Sequence, residues 1–137
     1  MGTERCEVLL VGARFVRERG CVEAMLERRG LSVRVAEDEE RALRALRLGR
    51  FAAIVVSLGL EDGRALAVAD FARWRMPEAP VIFLSGGPAF ADGSIFRHSI
   101  NAVGMVPATI PVSDLVEVIA FRALPPGIAR APERVAV

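Results

Sequence analysis

Residues 51–63 read Phe-Ala-Ala-Ile-Val-Val-Ser-Leu-Gly-Leu-Glu-Asp-Gly, and the fold is decided here. Phe51 to Val56 is a short continuous apolar run, the pattern of a strand buried on both faces. The Gly59 to Gly63 segment ends it in a turn, and residues 64–75 then have helix-forming composition up to the breakers Pro77 and Pro80. A buried strand, a glycine-bounded turn and a helix form one βα unit, and the same unit recurs in both directions along the chain.

Upstream, Val8-Leu9-Leu10-Val11 is a second apolar run, stopped by Gly12. Residues 15–29 change to helical spacing through Val22, Met25, Leu26 and Arg29, with Gly30 placed as the stop. Residues 31–36 alternate Leu31, Val33 and Val35 with Ser32 and Arg34. Asp38 then offers an N-cap for a helix carrying Ala42, Leu43, Ala45 and Leu46 up to Gly49. Downstream, residues 81–84 form a fourth strand, and Ser85-Gly86-Gly87 is a loop. Pro88 suits the first turn of a helix extending to Ile100, weakened by Gly93. Residues 103–106 read as a fifth strand and 113–124 as a fifth helix, before Pro125-Pro126-Gly127 breaks regular structure.

Five alternations of strand and helix imply an α/β fold, a parallel sheet with helices on both faces. Pro107 fits this sheet best with the fifth strand at an edge, because proline cannot donate to a central ladder. In such sheets the functional crevice lies beyond the carboxyl ends of the strands, which directs attention to Gly12, Ala13, Ser57, Ser85 and Ala108. The expected organisation is one domain over residues 1–124 and a flexible tail over 125–137.

Composition excludes several functions. Hydrophobic residues make up 53% of the 137 residues, yet no apolar run reaches the ~18 to 20 residues that span a bilayer. The first seven residues lack the pattern of a secretion signal, so a cytoplasmic location is expected. Cys6, Cys21 and a single histidine assemble neither a disulfide framework nor a zinc cluster. A net charge of +1, with acids and bases interspersed, gives no field for nucleic acid or anionic membrane. All 18 basic residues are arginine, so chemistry that needs a lysine is excluded.

Over roughly residues 7–124 the sequence resembles the receiver domain of two-component response regulators, of the chemotaxis-regulator type. The residues that carry the likeness are Ser57-Leu58-Gly59-Leu60-Glu61-Asp62-Gly63, similar to the family's Asp-Leu-Gly-Leu-Pro-Asp-Gly phosphorylation segment. Ala42-Leu43, Pro80-Val81-Ile82-Phe83-Leu84-Ser85 and Asp114-Leu115 support it in order and spacing. The resemblance implies a flavodoxin-like sheet of strand order 2-1-3-4-5. It also shows departures at the positions that do the family's chemistry. Gly12 and Ala13 stand where paired acidic residues hold magnesium, a cation that demands oxygen ligands. Ser57 stands for the phosphoacceptor aspartate, Ala108 for the lysine that pairs with the phosphoryl group, Thr109 for the following proline and Met105 for the switch aromatic. Ser85 alone keeps the family's Ser/Thr switch residue.

The expectation is therefore an atypical receiver that takes part in signal transduction by binding protein, independent of aspartyl phosphorylation and of any cofactor or metal, and not an enzyme. Alternatives are a phosphorelay receiver phosphorylated at a non-standard residue and a sensor that binds a small molecule in the altered pocket. Ser57 reads as a small polar residue filling a vacated pocket, with modification by a serine kinase as the other reading. Arg14 and Arg64 lie near the crevice and read as solvated surface. Ser85-Gly86-Gly87 reads as turn chemistry, and Trp74 as either a partner anchor or a helix end. In the fifth helix, at ~100° per residue, Leu115, Val118, Ile119 and Ala123 share a face assigned to the sheet. Ala120, Phe121 and Leu124 fall opposite, as the expected partner surface. The resemblance implies a protein partner or a homodimer through the fourth helix, fifth strand and fifth helix.

Overall fold

A computed structural model of the chain describes residues 6–57, 62–85, 102–107 and 109–123. Five strands, β1 (Cys6–Val11), β2 (Leu31–Ala36), β3 (Ala53–Ser57), β4 (Val81–Ser85) and β5 (Ala102–Pro107), form one sheet of order β2-β1-β3-β4-β5. Every neighbouring pair is parallel. The helices are α1 (Ala13–Arg17), α2 (Arg19–Glu27), α3 (Glu39–Leu48), α4 (Asp62–Arg75) and α5 (Val112–Ala123).

Alternation along the strands divides the apolar side chains between two cores. Leu9, Val11, Ile54, Val56, Val81 and Phe83 point to the face covered by α3 and α4, where they meet Ala42, Leu46, Val68, Ala69 and Ala72. Val8, Leu10, Ala53, Val55, Ile82 and Leu84 point the other way and pack with Phe15, Val22 and Leu26 from α1 and α2 and with Leu115, Val116, Ile119 and Ala120 from α5. Burial on both faces explains why the central strands read as unbroken apolar runs. Each large side chain withdrawn from water contributes about 1.5 to 3 kcal/mol.

β5 lies at the sheet edge, where Pro107 is tolerated. Its register with β4 passes from Val81↔Ala102 to Ile82↔Gly104, so Val103 is the extra residue of a bulge. Asp38 caps α3 as its position implies: its carboxylate accepts the Arg41 backbone N–H at 2.9 Å. Glu39 and Glu40 in the first turn and Arg47 in the last complement the helix dipole.

Two expectations are corrected. The helix expected over 15–29 is two helices, broken at Glu18, whose backbone (φ −103°, ψ 15°) leaves the helical region. Gly20 follows two residues later and adds no side-chain support to continuity there. Ala120 is fully buried rather than outward-facing. On a helical wheel Leu115, Val116, Ile119, Ala120 and Ala123 fall within an arc of ~140°, so the buried stripe is rotated towards Val116 and takes Ala120 with it. Val118 is left half-buried at the stripe's margin. The helix expected over 88–100, Leu124 and the tail over 125–137 lie outside the described residues. No helix among the described residues is long and apolar enough to cross a membrane.

Candidate functional site

The strand registers bring the expected positions to one edge of the sheet. Val11 pairs with Val56, Ser57 with Leu84 and Ser85 with Pro107, so the residues after β1 and at the ends of β3, β4 and β5 share the carboxyl end. The parallel connections place them there, since each strand runs the same way and hands the chain to a helix at that end.

Gly12 and Ser57 are in intimate contact. Gly12 has φ 136° and ψ 157°, a region open essentially to glycine alone. Its N–H donates to the Ala36 carbonyl at 2.9 Å, which fixes the turn out of β1 against β2. A Cβ built on Gly12 would lie 2.7 Å from the Ser57 Cβ and 3.5 Å from its Oγ. Glycine is thus required twice over, by backbone conformation and by the Ser57 side chain. Ala13 is exposed at the start of α1, and Ser57 is half-buried.

Arg14, expected as solvated surface, has only 15% of its side chain exposed. Its Nε donates to Glu18 Oε1 at 2.7 Å, and its Nη2 donates to the Ile110 carbonyl at 2.7 Å, 96 residues away. The guanidinium therefore ties α1 to the segment between β5 and α5, across the end of the sheet. An arginine three residues past the first strand was the available signal, but its carbonyl partner is set by loop geometry that periodicity does not report. Arg64 lies in the first turn of α4. Ser85 and Met105 are placed in β4 and β5, Met105 opposite Phe83, but their side chains and that of Arg64 are outside the described set, as is Ala108.

The residues that the resemblance assigns to magnesium do not fit that ion. Gly12 and Ala13 carry no side-chain oxygen, and the Ser57 side chain takes the space into which a side chain on Gly12 would extend. Among the described residues, no group of three or more His, Cys, Asp or Glu side chains is placed to hold a metal ion. The described part of this edge places the Ser57 hydroxyl beside Gly12, and the Arg14 guanidinium is already committed to Glu18 and Ile110.

Of the partner surface expected on α5, Ala120 is buried, Leu124 lies outside the described residues and Phe121 is 45% exposed. The Arg122 guanidinium carbon lies 5.5 Å from the Phe121 ring centroid, within cation–π range. On the same helix Glu117 pairs with Arg29, which follows α2, at 2.9 Å. Trp74 at the end of α4 is 75% exposed, and its ring lies 5.8 Å from that of Phe71.

No family model and no curated protein matches the sequence. Solved structures do match. A response regulator receiver domain protein (CheY-like) from Methanospirillum hungatei JF-1 aligns with a TM-score of 0.73 at 18% identity, over 88% of this chain and 94% of its own. A response regulator from Thermotoga maritima gives 0.70 at 22%, over 88% and 98%. A response regulator protein from Burkholderia pseudomallei, with a phosphorylated aspartic acid, calcium ion and citrate, gives 0.67 at 22%, over 96% and 73%. Together with the strand order 2-1-3-4-5, these likenesses establish that the chain has the flavodoxin-like receiver fold.

Proposed function

We propose that this chain is a signal-transduction module that works in the cytoplasm by binding another protein, without accepting a phosphoryl group on an aspartate and without catalysing a reaction. The observation that carries the reading is the packing of Gly12 against Ser57, with a Cβ-to-Cβ separation of 2.7 Å if Gly12 bore a side chain. Transfer to a carboxylate requires an acceptor, and a metal is the usual means of neutralising the transferring charge. Here the acceptor position holds a serine, and neither Gly12 nor Ala13 carries a carboxylate where the metal's ligands would stand. The receiver fold, retained without that chemistry, still provides surfaces for recognition. Phe121, 45% exposed on α5, supports the partner surface or homodimer contact expected there.

The test is Ser57→Asp incubated with magnesium and acetyl phosphate, read by intact mass. The expected result is no gain, because a lone carboxylate still lacks the metal site. A stoichiometric gain of one phosphoryl group would overturn the reading.

A further inference from the structure

At the end of the molecule opposite the candidate site, the carboxyl ends of α3 and α4 meet. Two contacts hold these ends together: Arg75 Nη2 donates to the Arg47 carbonyl at 2.9 Å, and the Phe51 N–H donates to Met76 Sδ at 3.4 Å. Residues 47–51 are thereby seated beside residues 75–76. On this corner stand the two most exposed large apolar side chains among the described residues, Leu48 at 76% and Trp74 at 75%. Trp74 lines an open recess of about 470 Å³ with Asp70 and Arg73.

Around them arginines outnumber carboxylates four to two. Residues 47–50 carry Arg47 and Arg50, and residues 70–78 carry Arg73 and Arg75 against Asp70 and Glu78. Among the described residues none of Arg47, Arg50 and Arg73 makes an ion pair. This corner alone therefore has more positive charge than the net +1 of the whole chain. Basic residues in a last turn complement the helix dipole, which accounts for the arginines. It does not account for a tryptophan and a leucine left in water among them. An exposed tryptophan flanked by Arg73 and Arg75 combines two of the residue types enriched at the energetic centres of protein interfaces.

We propose that this corner docks an acidic peptide segment of a partner protein, with an apolar side chain seated against Trp74 and carboxylates meeting Arg47, Arg50 and Arg73. The near-neutral charge of the whole chain favours a short acidic peptide over a polyanion, which needs an extended positive field. The surface is separate from α5 and does not depend on it.

A random dodecapeptide display selection on the full chain tests this. Enriched peptides should carry net negative charge and at least one large apolar residue. A synthetic peptide from the selection should shift the emission of Trp74, the only tryptophan, with affinity that falls as salt rises. Trp74→Ala and Arg47→Glu should each weaken binding about tenfold or more, with circular dichroism unchanged, while Arg28→Glu, at an exposed arginine after α2, should bind as wild type. Selection of neutral or basic peptides, no enrichment, or binding that survives Trp74→Ala would overturn the proposal. So would an equal response of Trp74 to oligothymidylate or to phosphatidylserine vesicles.

Discussion

Replacing Gly12 by alanine tests the packing on which the functional reading rests. Two costs are predicted from the geometry. Holding an L-residue at φ 136° and ψ 157° costs about 1 to 3 kcal/mol. Forcing a methyl group to within 2.7 Å of the Ser57 Cβ overpacks the site, at a further ~1 to 3 kcal/mol. Gly12→Ala should therefore lose roughly 2 to 6 kcal/mol, a large fraction of the ~5 to 15 kcal/mol that holds a domain folded. The two costs separate in a double-mutant cycle. Ser57→Gly removes the clashing Cβ, so in that background Gly12→Ala should lose only the backbone share, giving a coupling of about 1 to 3 kcal/mol. Urea denaturation of the four proteins, comparing midpoints at constant slope, is the assay. A neutral Gly12→Ala, or costs that simply add, would show that Ser57 does not occupy the space beside Gly12.

Three further outcomes follow. Gly20 in α2 has nothing within 4 Å of where a Cβ would stand, so Gly20→Ala should stabilise by about 0.5 to 1 kcal/mol; a loss in thermal unfolding would contradict the helical assignment. Arg14→Ala removes the charge-assisted bond to the Ile110 carbonyl and should cost about 1.5 to 3 kcal/mol, with faster hydrogen exchange in residues 109–115; unchanged exchange would show that the tie holds nothing. Ala120→Asp puts an unpaired carboxylate into the α5 core and should unfold the protein, whereas Phe121→Asp should fold normally and weaken association about tenfold or more, as read by circular dichroism and light scattering.

Much of the fold was legible because its signals are local. Apolar runs identified the three central strands, β1, β3 and β4, alternation identified β2, and Pro107 suited β5 to the edge before any pairing was known. Asp38 announced its helix through cap chemistry. Reasoning from periodicity failed where several patterns fit the same residues. Anchoring the α5 wheel on Leu115 and Ile119 left Ala120 outside, although alanine fits a buried stripe as readily as a solvent face, and only packing against the sheet decides. The break at Glu18 was hidden because apolar spacing tolerates a kink. At the site, the strand-end rule put Gly12 and Ser57 in the same crevice, but not in contact, since contact depends on the turn out of β1. The Arg14 to Ile110 tie joins parts of the chain 96 residues apart and has no pattern in the sequence.

The central claim, that this receiver fold works without taking up a phosphoryl group, is tested most directly by incubating the wild-type protein with magnesium and acetyl phosphate and measuring its intact mass, with the emission of Trp74 followed in parallel. Unchanged mass and unchanged emission are predicted, because Gly12, Ala13 and Ser57 offer neither a metal ligand set nor an acyl-phosphate acceptor. A stoichiometric gain of one phosphoryl group, on Ser57 or any other residue, would contradict the account.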